Sequence, residues 1–99
     1  MESQVEEKKR IRIGFEMIDS GGGYELLLDT ITGFLVGHFG AIVIWRDMEG
    51  AVVETTPEAI KALKEYLRWL KSNVRVRRED AWGRLPVDEL IISVEEDGQ

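Results

Sequence analysis

The apolar residues of this chain recur at two different spacings in separate blocks, and this alternation restricts the fold more than any other feature. Residues 10–18 alternate between apolar and other side chains, which is the period of a half-buried β-strand. The apolar positions there are Ile11, Ile13, Phe15 and Met17. From Tyr24 onward the apolar residues instead recur every three or four positions, which is the period of a helix. Strands and helices with one apolar side each must bury those sides together, so a layered domain is expected.

Two interpretations are open for residues 24–39. The helical spacing favours a single helix that ends near Gly37 or Gly40. Gly33 and Gly37 weaken this interpretation, because a glycine inside a helix costs about 1 kcal/mol relative to alanine. The alternative is a hairpin with strands at 24–28 and 34–39. We favour the helix, because the apolar residues keep the helical spacing throughout.

A strand, a turn and a second strand are predicted next. Residues 41–45 form a continuous apolar run rich in branched side chains, which predicts a buried strand with Trp45 in the core. Residues 47–50 are typical of a hairpin turn, and we expect Gly50 to adopt the left-handed conformation there. Residues 51–54 then form the partner strand.

The clearest local signal in the chain is the start of a second helix. Thr56 is a preferred N-cap residue, Pro57 fits the first helical position, and Glu58 interacts favourably with the helix dipole. The helix is expected to run to about Ser72, with Trp69 on the flank of its apolar stripe. The predicted buried stripe comprises Ala59, Ile60, Leu63, Tyr66, Leu67 and Leu70, and the predicted solvent face comprises Lys61, Lys64, Arg68 and Lys71.

Residues 74–77 and 90–94 alternate as two further strands, with a loop at 79–86 between them. The predicted order of elements is therefore β-α-β-β-α-β-β. We predict an α+β fold in which two helices pack on one face of a mainly antiparallel sheet, as in ferredoxin-like sandwiches. A chain of 99 residues supports one core. The expected organisation is a flexible N-terminal arm (1–9), a single domain (10–96) and a tail (97–99).

The composition argues against most catalytic chemistry. Because the chain has no cysteine, it has no disulfide, thiolate metal site or cysteine nucleophile. His38 is the only histidine, and it falls near the end of the predicted first helix, where a packing role is expected. No run of spaced acids resembles a calcium loop. We expect no catalytic residues, no metal site, no cofactor and no enzyme activity.

The glycine-rich segment 20–23 lies between a predicted strand and a predicted helix. Backbone amides at such a position can cradle a phosphate group. The lysine and hydroxyl residue of a nucleotide-binding loop are missing, however, and so is the dinucleotide-binding spacing. We interpret the segment as a flexible connection.

The formal net charge of −6 disfavours direct binding to nucleic acid or to anionic lipid. Residues 68–78 nevertheless contain five basic side chains and no acid, and a solvated face is the expected interpretation. Contact with nucleic acid through a larger complex would involve Arg75, Arg77 and Arg78.

Neither a signal peptide nor an apolar run of roughly 20 residues is present, so we expect a cytoplasmic protein without membrane contact. The scarcity of amide side chains and the many charged ones fit a thermophile.

The three tryptophans are numerous for a chain of this length. Trp69 and Trp82 are difficult to bury fully in so small a domain. Half-buried aromatic side chains are typical anchors of protein interfaces. We therefore expect contact with a protein partner at these positions.

The segment Tyr66-Leu67-Arg68-Trp69-Leu70-Lys71 resembles the end of the last helix in the small dimerising subunit of the archaeal KEOPS complex, which makes threonylcarbamoyladenosine in transfer RNA. The family pattern there is roughly S-Y-L-R-W-I-K after an Ala-Leu pair. The order of strand, helix, hairpin and helix over residues 10–71 is also similar. Three features depart from the family: Glu65 replaces its serine, the segment between Gly50 and Tyr66 is shorter, and residues 74–99 have no counterpart.

The resemblance implies a non-enzymatic subunit that dimerises, docks a kinase-like catalytic subunit and helps to engage transfer RNA. Tyr66, Arg68 and Trp69 are the matching positions. We predict a small accessory subunit that binds a protein partner, either itself or a different chain, through these residues and Trp82. Two alternatives remain: a small acidic inhibitor, such as a viral one, that occupies a nucleic-acid-binding site on an enzyme, and a small-ligand sensor.

Overall fold

The computed structural model describes residues 8–16, 23–78 and 81–95. Within these residues the chain forms six strands, two helices and one short 3-10 turn. The elements are β1 (Lys9–Phe15), α1 (Tyr24–Phe39), β2 (Ile42–Arg46), β3 (Ala51–Thr55), α2 (Pro57–Asn73), β4 (Arg75–Arg78), β5 (Ala81–Arg84), the 3-10 turn (Val87–Glu89) and β6 (Leu90–Glu95).

Four of the strands form one sheet in the order β2-β3-β1-β6, and every neighbouring pair is antiparallel. The α+β class with two helices and an antiparallel sheet is confirmed. The predicted order of elements is incomplete, because residues 81–84, predicted as a loop, form β5. β5 pairs with β4 in a separate two-stranded sheet, with Trp82 opposite Arg77. The hydrogen bonding of this segment to β4 outweighs the local preference of Gly83, because a glycine by itself indicates a turn or loop and not a strand.

One side of the sheet shares a core with both helices. In the central strands Ile11 lies opposite Val53 and Ile13 opposite Ala51, and none of these side chains is more than 1% exposed. The helices contribute Leu27, Leu28, Ile31 and Leu35 from α1, and Ala59, Ile60, Leu63, Leu67 and Leu70 from α2. The alternate residues Arg10 and Arg12 are exposed on the other side of β1, as strand geometry requires.

The segment 24–39 is a helix, and the hairpin alternative is wrong. Glycines in the left-handed conformation lie at both of its ends, Gly23 with φ 88° and Gly40 with φ 65°. The N–H of Gly40 donates to the carbonyl of Val36, which satisfies one of the free groups at the helix end. α1 tolerates Gly33 and Gly37 because its other side is fully packed in the core.

The predicted start of α2 is confirmed. The Thr56 hydroxyl accepts a hydrogen bond of 3.2 Å from the backbone N–H of Ala59, and Pro57 occupies the first helical position. The apolar stripe then directs α2 onto the core. The position of every α2 side chain around the helix axis follows from this packing.

Two local predictions are wrong. The strand at residues 42–46 is not buried, because β2 lies at one end of the sheet, and Trp45 is exposed rather than in the core. Gly50 is not left-handed, since Gly23 and Gly40 are the glycines with positive φ among the described residues. Gly50 is required for a different reason: a Cβ atom there would lie 2.8 Å from the carbonyl oxygen of Ile13.

Candidate protein-contact surface

Three aromatic side chains form a row across the two helices. The rings of Phe34 on α1 and Tyr66 on α2 stack with centroids 4.3 Å apart and an angle of 12° between their planes. The ring of Trp69 continues the row, 6.2 Å from that of Tyr66 and nearly parallel to it at 9°. We call Phe34, Tyr66 and Trp69 the aromatic row. Displaced parallel arrangements of this kind are favourable for aromatic pairs.

The helical geometry explains how the row forms. Tyr66 and Trp69 are three positions apart, so they are neighbours on the surface of α2. The buried residues Leu63, Leu67 and Leu70 fix the rotation of that helix and turn Tyr66 toward α1. Phe34 and Tyr66 are half-buried and pack against the core. The row thus runs from the core outward to Trp69, which is 53% exposed.

The backbone beneath Trp69 is held in place at the end of α2. The side-chain amide of Asn73 donates a hydrogen bond of 2.9 Å to the carbonyl oxygen of Trp69. The N–H of Val74 donates to the carbonyl of Leu70 at 3.0 Å. The bond to Leu70 satisfies a carbonyl group that a helix end otherwise leaves free, and the bond from Asn73 ties its side chain to the last turn. An exposed tryptophan on a fixed backbone, beside a stacked neighbour, loses little conformational entropy on binding.

The surface of α1 beside the row is nearly uncharged. Residues 30–45 contain no aspartate, glutamate, lysine or arginine. Gly33 and Gly37 face open space, with no atom within 4 Å of the position that a Cβ would take. Leu26 and Val36 are each nearly half exposed on the same helix. Exposed apolar side chains without charged neighbours are typical of protein contacts, so this part of α1 is suited to contact with another protein.

Charged side chains border this surface on α2. Lys61, Lys64 and Arg68 are exposed, as predicted. Lys71 forms an ion pair of 2.7 Å with Asp88 in the 3-10 turn. No ion pair among the described residues involves Arg68. Its guanidinium group is therefore available to a carboxylate on a partner.

The predicted site residues divide into three groups. Tyr66 and Trp69 are brought together, whereas Arg68 projects from an adjacent side of α2, about 100° around the axis from Trp69. Arg75 is exposed at the start of β4. The backbones of Arg77, Arg78 and Trp82 lie in the β4–β5 hairpin, and their side chains lie outside what the structure describes.

Sequence reasoning missed the part played by Phe34. Its spacing assigns it to the buried stripe of α1, and nothing in the sequence indicates that it stacks on a residue of α2. The ring of His38, which is expected to pack near the end of α1, contacts that of Phe34 with centroids 5.1 Å apart, and the residue is exposed. The role of Phe34 can be identified only from the packing of α1 beside α2, and this packing belongs to the tertiary structure.

The described residues contain no group of three or more histidine, cysteine, aspartate or glutamate side chains placed to hold a metal ion. No helix within residues 23–78 is long and apolar enough to cross a membrane. Residues 20–22 of the glycine-rich segment lie outside the described residues, so the interpretation of that segment stays a prediction.

No protein-family model, curated protein or solved structure matches this chain. The resemblance of Tyr66-Leu67-Arg68-Trp69-Leu70-Lys71 to the KEOPS subunit therefore stays a prediction.

Proposed function

We propose that this protein is a non-catalytic subunit that acts by binding another protein through the aromatic row. The observation that carries the proposal is Trp69, which is 53% exposed yet aligned with the half-buried ring of Tyr66. Tryptophan and tyrosine dominate the binding energy of protein interfaces when they enter a desolvated pocket. Here the tryptophan is already oriented for such entry.

The surroundings of the row specify the chemistry of the partner. An apolar groove would accept Trp69 and the uncharged surface of α1 around Gly33 and Gly37. A carboxylate at its rim would meet the exposed guanidinium of Arg68, because bidentate pairs of arginine and carboxylate are strong and geometrically selective.

The fold that supports this role is, we propose, a ferredoxin-like sandwich with one insertion. Without the β4–β5 hairpin the order of elements is β-α-β-β-α-β. The sheet order β2-β3-β1-β6 and the single core shared with both helices support this assignment. The hairpin would then be an insertion between α2 and β6.

The biological setting that we propose is a cytoplasmic complex for transfer-RNA modification. This proposal rests on the resemblance of residues 66–71 to the small dimerising subunit of the KEOPS complex. It also rests on the position of Tyr66 and Trp69 in one surface. In such a complex the basic residues Arg75, Arg77 and Arg78 would contact RNA only alongside other subunits, since the whole chain is acidic.

The test is a quantitative affinity capture from native-source lysate, read by mass spectrometry, with three versions of the protein. Wild type is compared with Trp69→Ala and with the matched control Ile91→Ala, whose side chain is 47% exposed on the other face of the sheet. We expect the wild type and the control to retain subunits that modify transfer RNA, and Trp69→Ala to lose at least about 90% of them.

The proposal would be refuted if Trp69→Ala retained the same proteins as the control. Recovery of a nuclease instead of RNA-modifying subunits would refute the biological setting and favour the acidic inhibitor. Circular dichroism of each variant checks that the fold is intact.

A further inference from the structure

The β4–β5 hairpin concentrates basic residues in a chain that is acidic as a whole. Residues 75–84 have a formal charge of +2, whereas the whole chain has −6. The two strands contain four arginines, one tryptophan and no acidic residue. Glu79 and Asp80, which connect the strands, lie outside the described residues. The charge of the hairpin is thus opposite to that of the chain, and it favours contact with a polyanion.

The register of the hairpin divides its residues between two faces. Arg75 lies opposite Arg84, and Arg77 lies opposite Trp82. Residues that lie opposite each other in antiparallel strands share a face, as do residues two positions apart in one strand. One face, which we call the basic face, therefore holds the positions Arg75, Arg77, Trp82 and Arg84. The other face holds Val76, Arg78, Ala81 and Gly83.

The base of the hairpin is fixed to the domain at both ends. Just before β4, the N–H of Val74 donates to the carbonyl of Leu70 at 3.0 Å. Just after β5, Leu85 is only 5% exposed and belongs to the core. The ion pair between Lys71 and Asp88 ties the following 3-10 turn to α2. Because both strands start from fixed points, little conformational freedom at the base is lost on binding.

We infer that the basic face binds single-stranded RNA. Surfaces that hold single-stranded nucleic acid combine basic residues, which contact the phosphates, with aromatic residues on which bases stack. The basic face brings three arginines and Trp82 together in this combination. In a duplex the bases are already stacked on each other, so a tryptophan gains a stacking partner only from an unpaired strand. Trp82 would therefore contact a base, and not the protein partner that the sequence predicts for it.

The choice of RNA rests on the proposed function, whereas the site itself does not, because it uses the hairpin and not the aromatic row. Since the whole chain is acidic, the contact would act in the cell together with other subunits. The isolated chain should bind RNA weakly, with a dissociation constant of about 100 micromolar at physiological salt. With three phosphate contacts, the logarithm of the association constant should fall with the logarithm of salt concentration with a slope of about −2.

The test is fluorescence anisotropy of a labelled oligouridine of about 10 nucleotides, titrated with the full chain at several salt concentrations. Wild type is compared with Arg77→Ala, Trp82→Ala and the matched control Arg78→Ala, which removes the same charge from the other face. Arg77→Ala should reduce the salt slope by about 0.7, and Arg78→Ala should keep the wild-type slope. Trp82→Ala should raise the dissociation constant at least about 5-fold without changing the slope.

Amide chemical shifts of the wild type, titrated with the same RNA, give a measurement that does not depend on how a variant folds. The amides of residues 75–84 should shift, whereas those of α1 should not. The inference would be overturned by an absence of RNA binding even at low salt, by equal losses in Arg77→Ala and Arg78→Ala, or by unchanged binding in Trp82→Ala. Tighter binding of a duplex RNA of the same length would also overturn it.

Trp69→Ala separates this inference from the proposed function. The substitution changes the aromatic row and leaves the hairpin intact, so the variant should bind the oligouridine as the wild type does. Loss of RNA binding in Trp69→Ala would assign the RNA contact to the aromatic row and overturn the inference. The affinity capture tests the aromatic row independently of any result obtained with the oligouridine.

Discussion

Replacing Gly50 by alanine tests why the turn before β3 contains a glycine. Gly50 is buried, and a Cβ added there would lie 2.8 Å from the carbonyl oxygen of Ile13 and 3.8 Å from the Cα atom of Gly14. Both atoms belong to the backbone of β1, a central strand of the sheet. A flexible side chain could move away from the new methyl group, but this backbone cannot move without disturbing its pairing with β3 and β6.

The turn itself also resists movement. The carboxylate of Asp47 accepts hydrogen bonds from the N–H groups of Glu49 and Gly50, at 2.8 and 3.0 Å. The N–H of Asp47 donates to the carbonyl of Gly50 at 3.0 Å. Overpacking of a constrained site costs about 1–3 kcal/mol of the free energy of unfolding. For a domain of this size, each 1 kcal/mol lowers Tm by roughly 4–8 °C.

The assay is urea unfolding followed by circular dichroism, with Gly33→Ala as the control. The control makes the same chemical change on the exposed surface of α1, where nothing lies within 4 Å of the new atom. It should raise the free energy of unfolding by about 0.5–1 kcal/mol, because alanine favours a helix more than glycine does. Equal stability of Gly50→Ala and wild type would refute the close-approach argument. Destabilisation by Gly33→Ala would contradict the open helix surface.

Two further changes test the local interactions that hold α2 and β3. Thr56→Ala removes the hydroxyl that accepts a hydrogen bond from the N–H of Ala59. Thermal unfolding should show that the free energy of unfolding falls by about 1 kcal/mol. An unchanged Tm would mean that the cap contributes nothing to stability. Thr55→Val should instead raise the free energy of unfolding by about 1 kcal/mol, because the buried Thr55 hydroxyl has no hydrogen-bond partner among the described residues and valine has the same shape. A loss of stability in urea unfolding would indicate that this hydroxyl does find a partner.

Two of the three residues of the aromatic row could be predicted from the sequence. Tyr66 and Trp69 are three positions apart in a strongly amphipathic segment, so their proximity follows from helix geometry alone. Phe34 could not be predicted, because its stacking depends on how α1 packs beside α2. The side chain of Trp82 lies outside the described residues, and its contact with a partner stays a prediction.

The burial of β2 was mispredicted for a similar reason. A run of branched apolar residues is compatible with a central strand or with an edge strand, and the sequence of 41–45 does not distinguish them. The position of β2 is set by β3, which pairs with β1 on its other side. That arrangement depends on contacts between residues far apart in the chain. The exposed edge follows from the tertiary structure only.

The sequence by itself determined the helices and the strands whose signals are local. The N-cap at Thr56, the glycine at position 40 and the alternation in β1 each act within a few residues, so they retain their meaning in any fold. The tertiary structure alone decided the order of the strands, the requirement for glycine at position 50 and the faces left open. These features depend on which segments approach each other. The free energy that favours one arrangement of the segments over another is distributed over the whole core.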